Sequence, residues 1–399
     1  MQRVAQSWRG VGRQGVATRI SCYSAGAAVR YGLRPADMSC HNCSGPSLGA
    51  PRRLMSAAPN TDPAAKDPLH LVQNELAALT GNIESLLKSD SPVLEAAAAY
   101  FFQGQQGKHF RPSVVLLMAQ ATAAHAQQPA VANESQRRLA EISEMIHTAS
   151  LLHDDVIDES EERRGKASGQ AAFGNKVAVL AGDFLLARAS MALARLRDTE
   201  VVEVVSLVIE ELVEGELLQI RVGSGKTLGR EEGLSQQELF QLYLRKNYLK
   251  TGSLIANSCR ASAMLGQHTP AVCDAAYDYG RHLGLAFQLI DDALDFRASS
   301  AALGKPALAD VRLGLATAPV LLTMEQHPEL STLVERKCCE PGDMEQALAW
   351  IEASGGVART EQLAAAYAAK AVAAIRTLEP SEPRAALIAL TQQVVTRSK

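Results

Sequence analysis

The chain has no surplus of positive charge: 40 Lys and Arg stand against 43 Asp and Glu, for a formal net charge of -3 over 399 residues. Nucleic-acid binders carry a clear basic excess, so the balance excludes that class of partner. No uninterrupted run of about 18 apolar residues occurs, which gives no reason to expect a transmembrane segment and leaves at most peripheral membrane contact. Alternating β patterns are missing, and no fixed-period repeat points to a solenoid. Cysteine is sparse too. The one CxxC pair, Cys40 and Cys43, has no second half to complete a zinc site, and Cys259, Cys273, Cys338 and Cys339 are scattered as free thiols would be in a reducing compartment.

A local shortage is as informative. No acid precedes Asp37, whereas Arg3, Arg9, Arg13, Arg19, Arg30 and Arg34 all do, among many Ser, Ala and Gly. Arg-rich, Ser-rich and acid-poor is the composition of a mitochondrial transit peptide. Val4, Trp8 and Val11 fall on one helical face opposite much of this charge. Residues 1–65 are therefore expected to be a transit peptide and disordered linker, cut near residues 53–56. Residues 66–399 form one all-α domain in which Ala, Leu, Glu and Gln dominate, broken at Pro- and Gly-bearing stretches such as residues 89–92, 104–107, 223–233 and 299–306. The Gly225-Lys226-Thr227 triplet imitates a phosphate loop, but Ile220 stands where the first glycine is required and no strand precedes it.

What the chain does have is acid in two concentrated places. Residues 151–165 read LLHDDVIDESEERRG, and at about 100° per residue His147, Leu151, Asp154 and Asp158 share one helix face, with Asp155 beside them. FQLIDDALDF repeats the arrangement downstream with Gln288, Asp291, Asp292 and Asp295, anchored by Leu289, Ile290 and Leu294. One DDxxD on a helix is commonplace. Two, each set in apolar sequence, describe a cavity whose negative charge needs hard cations, and Mg²⁺ binds through a few carboxylates with water and substrate phosphates. Glu144-Met145-Ile146-His147 has the Glu-x-x-His form of a di-iron site, but that site needs a second copy and none exists.

Basic residues attend both clusters. GKHFRP holds Lys108 and Arg111, the pair Arg163-Arg164 follows the first cluster, Lys250-Thr251 ends LRKNYLKT, and Lys305 lies in GKPALAD after the second. Arg offers bidentate donors and Lys a point charge, a combination suited to diphosphate.

In this order the motifs GKHFRP, EMIHTASLLHDDVIDESEERRG, KT, FQLIDDALDF and GKPALAD resemble those of the trans-polyprenyl diphosphate synthases, over roughly residues 70–399. The likeness is greatest to the catalytic subunits of mitochondrial long-chain enzymes that make the ubiquinone side chain. It implies antiparallel helices around a deep central cavity, the isoprenoid synthase fold. It also implies roles. Lys108, Arg111, His147 and Arg164 would hold isopentenyl diphosphate; Arg163, Lys250, Thr251, Gln288 and Lys305 would hold the allylic or growing polyprenyl diphosphate. Asp154, Asp158 and Asp291 would be the main Mg²⁺ ligands, with Asp155, Asp292 and Asp295 supporting them. Gln105-Gln106 replaces part of the family's glycine-rich entry before Gly107.

The implied reaction is head-to-tail prenyl transfer: ionisation of an allylic diphosphate, attack by the isopentenyl double bond, then loss of a proton to the departed diphosphate. In that family a bulky aromatic about a turn before Asp154 closes the pocket early; Ala149 and Ser150 are small there, which implies a long product, and the likeness to the ubiquinone-chain enzymes implies an octa- to decaprenyl one. A terpene cyclase or head-to-head synthase would need no GKHFRP and no second full DDxxD. The alternative of a non-catalytic partner subunit would tolerate degenerate aspartates, and these are intact. The family likeness further implies a homo- or hetero-oligomer with a homologous subunit, in the mitochondrial matrix or at the inner-membrane surface.

Overall fold

The computed structural model describes residues 67–102, 109–163, 165–223, 234–300, 311 and 314–397. Residues 1–65, expected to be a transit peptide and linker, lie outside the described residues, as do Lys108, Arg164 and Lys305.

Helix follows helix after the opening turn Pro68–Val72: α1 Gln73–Leu86, α2 Pro92–Ala99, α3 Phe110–His125, α4 Glu134–Ile157, the short α5 Gly169–Phe173, α6 Asn175–Ala194, α7 Thr199–Gly223 and α8 Gln236–Asn247. A π-helical turn, Tyr248–Gly252, then leads without interruption into α9 Ser253–Leu265. The remainder is α10 Pro270–Ser300, α11 Ala318–Met324, α12 Leu330–Glu335, α13 Asp343–Ala353, α14 Gly356–Ile375 and α15 Glu382–Thr396. The all-α expectation holds, with one small addition. A hairpin of β1 Glu162–Arg163 and β2 Lys166–Ala167 pairs Glu162 with Ala167 and Arg163 with Lys166, and Gly165 takes the left-handed φ of 77° its turn needs.

Two helices carry the acidic motifs. α4 starts at a capping box in which Asn133 accepts from the Gln136 amide and the Gln136 side chain accepts from the Asn133 amide. Its buried face runs Leu139, Ile142, Met145, Ile146, Ala149, Leu152, and it ends at Asp158, whose amide donates to the Asp154 carbonyl. α10 buries Tyr279, Leu283, Ala286, Leu289, Ile290 and Ala293, packing on α9 and α14.

α6 has the length and composition of a membrane-spanning helix, although its scattered charges leave no uninterrupted apolar run and core helices share that composition. It packs on α2 and α4, burying Ala178, Ala181, Leu185 and Ala189 as a core helix does, yet leaves Leu180 and Met191 exposed.

Candidate active site

The π turn between α8 and α9 ties the two acidic helices together. Within it Lys250 forms an ion pair with Glu216 of α7, and its charge also acts on Asp154 and Asp158 of α4. The next residue, Thr251, donates a hydrogen bond of 3.2 Å to Gln288 on α10, and the Gln288 amide donates one of 3.0 Å to Asp292. A π turn places consecutive residues off the α register and is often found at functional sites. Here it turns neighbours toward different helices.

Glycines permit the close approach. A Cβ on Gly284 would stand 2.6 Å from the Gly252 Cα, one on Gly280 would stand 2.7 Å from the Ala256 Cα, and one on Gly215 would meet the Lys250 Cγ at 2.8 Å. Without these residues α7, the π turn and α10 would stand farther apart.

In the first cluster, burial pushes the Asp154 carboxyl up to about 7, with neighbouring Glu216 adding to the rise and Lys250 opposing it. Asp158, at the helix end, is also raised, again chiefly by burial. Asp155 is fully buried. The hairpin folds Arg163 back onto it, so that the Arg163 Nε donates to Oδ1 at 2.6 Å while Oδ2 is buried with no hydrogen-bond partner.

In the second cluster, burial lifts Asp291 to about 6 against the opposing charges of Arg397 and Arg111, and Asp292 adds to the rise. Asp295 is lifted to about 6 by burial together with Asp292 and Asp291. Asp292 itself is buried and its oxygens are engaged: Oδ2 accepts from the Tyr243 hydroxyl at 2.5 Å and from the Ala318 amide at 3.2 Å, and Oδ1 from Gln288. It therefore caps the start of α11 and braces α8.

The π turn thus links the two clusters, through Lys250 on one side and Thr251 on the other. Arg111, in the first turn of α3, lies within electrostatic reach of Asp291. His147 is half-buried two turns before Asp154 on α4, Ala149 is fully buried, and Ser150 donates to the His147 carbonyl. Glu144, of the Glu-x-x-His pattern, faces His109 at 3.8 Å. Three residues absent from the sequence reading belong to the site: Glu216, Arg397 and Tyr243. Glu216 reads as one acid among several on α7, and Arg397 is 106 residues from Asp291, so neither carries a local signal.

Among the described residues no three His, Cys, Asp or Glu converge to hold an ion by themselves. The donors suit a different kind of binding. Asp154, Asp158, Asp291 and Asp295 are carboxyls whose ionisation is opposed by burial and crowding, a cost that a divalent ion completed by water and diphosphate oxygens would offset.

The helical shell thus carries two acidic helices bridged by a Lys-Thr turn. Residues 91–351 match the family described as Polyprenyl synthetase. The probable mitochondrial hexaprenyl pyrophosphate synthase of Neurospora crassa is 48% identical over 374 residues, covering 84% of this chain and 82% of the relative. Decaprenyl-diphosphate synthase subunit 1 of Schizosaccharomyces pombe is 43% identical over 349 residues, covering 83% and 91%. Among solved structures, the polyprenyl synthase of Caulobacter crescentus, complexed with calcium and isoprenyl diphosphate, superposes with a TM-score of 0.72 at 34% identity, covering 84% of this chain and 98% of that one. The chain belongs to the polyprenyl synthetase family and is a prenyltransferase with the isoprenoid synthase fold.

Proposed function

We propose that the protein extends an allylic diphosphate by repeated head-to-tail condensation with isopentenyl diphosphate, giving a long all-trans-polyprenyl diphosphate of octa- to decaprenyl length for the ubiquinone side chain. The observation that carries this reading is the π turn: Lys250 serves the first aspartate cluster while Thr251 is bonded to the helix of the second.

Mg²⁺ held by Asp154, Asp158 and Asp291, with Asp295 nearby, would act as a Lewis acid on the leaving diphosphate. Lys250 and Arg163 supply positive charge beside the first cluster, where negative charge grows on the leaving group as the allylic carbon–oxygen bond breaks. Arg111, with Lys108, His147 and Arg164, would hold isopentenyl diphosphate so that its double bond faces the allylic carbon; Thr251, Gln288 and Lys305 would orient the allylic diphosphate. The apolar face of α4 leading away from Asp154 receives the growing chain and keeps water from the cation. No side chain here is an evident dedicated base, so the proton leaves to the departed diphosphate.

The protein is placed in mitochondria, in the matrix or at the inner-membrane surface, a reading supported by the composition of residues 1–65 and by the mitochondrial names of relatives. It works as an oligomer with itself or a homologous subunit. The name of the fission-yeast relative, a subunit, supports this. So do Leu180 on α6 and Val213, Leu217 and Ile220 on α7, all more than half exposed on two helices in contact with each other.

Purified protein incubated with Mg²⁺, isopentenyl diphosphate and an allylic primer, alone and with a homologous subunit, should yield a polyprenyl diphosphate of that length by mass spectrometry. No elongation in either mixture would leave the partner-subunit reading instead.

A further inference from the structure

The second aspartate cluster already has a cation on it. Arg397, at the C-terminal end of α15, donates through Nη2 to the Asp291 Oδ1 at 2.6 Å and to the Phe287 carbonyl at 3.0 Å. Its guanidinium carbon lies 4.0 Å from the centre of the Phe287 ring, and that ring packs 5.1 Å from Phe110, the residue before Arg111. One face of the guanidinium is therefore fixed on α10, beside the entry to α3. The Nε of Arg397 is buried with no hydrogen-bond partner. A buried N–H without an acceptor is costly and rare, and it marks a place for an anionic oxygen.

We infer that Arg397 is a placeholder for the divalent ion at Asp291 and, once displaced, a donor to substrate. In the metal-free protein the guanidinium neutralises the Asp291 carboxylate. The ion takes that carboxylate, and the released fork, still stacked on Phe287, turns its Nε and Nη donors to non-bridging oxygens of a diphosphate bound between α3 and α10. Arg suits both duties, since its planar donors match a carboxylate and a phosphate alike. The inference rests on the reading of this site as a divalent-metal diphosphate site.

The test uses the full chain and two probes, Mn²⁺ counted as free ion by electron paramagnetic resonance, and inorganic pyrophosphate titrated by calorimetry in saturating Mn²⁺. Arg397→Gln should bind Mn²⁺ at least about threefold more tightly without pyrophosphate, because a competing ion pair is lost. It should bind pyrophosphate about tenfold more weakly, for want of a charge-assisted hydrogen bond. Arg397→Lys should restore the competition with Mn²⁺ without restoring pyrophosphate affinity, and circular dichroism should show both variants folded. Unchanged or weaker Mn²⁺ binding in Arg397→Gln overturns the placeholder role; unchanged pyrophosphate binding overturns the donor role. Asp291→Asn separates the two levels of the argument. If it binds Mn²⁺ as the unsubstituted protein does, the metal-site reading itself is at fault; if it loses Mn²⁺ while Arg397→Gln shifts nothing, the inference alone fails.

Discussion

Gly284 and Gly252 cross so closely that a Cβ on the former would stand 2.6 Å from the Cα of the latter. The crossing lies one residue after Thr251 and four before Gln288, so it sets the Thr251–Gln288 hydrogen bond. Gly284→Ala must push the π turn from α10, because the atom it meets is backbone and cannot rotate away. The expected cost is about 1–3 kcal/mol of stability, read by denaturant unfolding. Elongation should fall by more than the unfolded fraction explains, as the Lys-Thr pair loses register with the second cluster.

The bond from the Tyr243 hydroxyl to Asp292 makes a second prediction. Tyr243 is buried, and its hydroxyl proton is held tightly, first by burial and then by the adjacent carboxylate. Tyr243→Phe leaves a buried carboxylate oxygen with the Ala318 amide as its remaining donor. Stability should drop by roughly 1.5–3 kcal/mol, the range for hydrogen bonds to charged groups. Direct ligation by Asp292 predicts in addition that Mn²⁺ affinity changes as much as in Asp291→Asn; a bracing role predicts a much smaller change, and calorimetry decides between them.

These two cases show what could be read from sequence. Asp154, Asp158 and Asp295 were legible because 3.6-residue periodicity puts them on stripes of apolar helices, whereas Asp291 was singled out only by the family resemblance. The twins within each Asp-Asp pair are another matter: nothing local separates Asp291 from Asp292, and it is the packing of α8 and α11 that turns one inward to Tyr243 and leaves the other beside Arg397. Arg163 was half legible, since Gly165 forecasts a turn but not that the turn lays its guanidinium on Asp155. Glu216 was missed because an acid on a long amphipathic helix is ordinary until Gly215 brings it against Lys250.

Ala149 carries the prediction on product length. It is fully buried on α4, on the same apolar face as Leu152 and five residues before Asp154. Ala149→Phe would fill whatever space the chain uses there, so the product should shorten, with a stability cost of about 1–3 kcal/mol for overpacking. Mass spectrometry of the products checks it. An unchanged length would mean that Ala149 merely permits helix packing.

The exposed apolar face of α7 is testable by charge. Leu217 is 63% exposed, and Val213 and Ile220 flank it at helical spacing. Leu217→Arg removes no core contact, so the folded subunit should survive while an assembly sealed by this face comes apart. Light scattering after gel filtration should give a smaller mass for the variant than for the unsubstituted protein. Equal masses would place any interface elsewhere.

Glu211, one turn before Gly215 on α7, gives the stability of the fold a pH dependence of its own. Burial lifts its carboxyl from 4.5 to about 7, and Glu214 adds to the rise, although the nearby Ser253 and Tyr248 side chains oppose it and Asn257 donates at 3.3 Å. The folded protein therefore keeps a proton that the unfolded chain has given up. Below pH 4.5 both states are protonated and the group costs nothing. As pH rises from 4.5 to about 7 the unfolded state sheds its proton first, and stability falls by on the order of 2–3 kcal/mol from this group. Glu211→Gln keeps an acceptor for the Asn257 amide and removes the titration. Its stability relative to the unsubstituted protein should thus improve steadily across that window and level off above it, as followed by denaturant unfolding at a series of pH values. A constant difference between the two proteins at every pH would mean that the Glu211 carboxyl titrates alike in the folded and unfolded states.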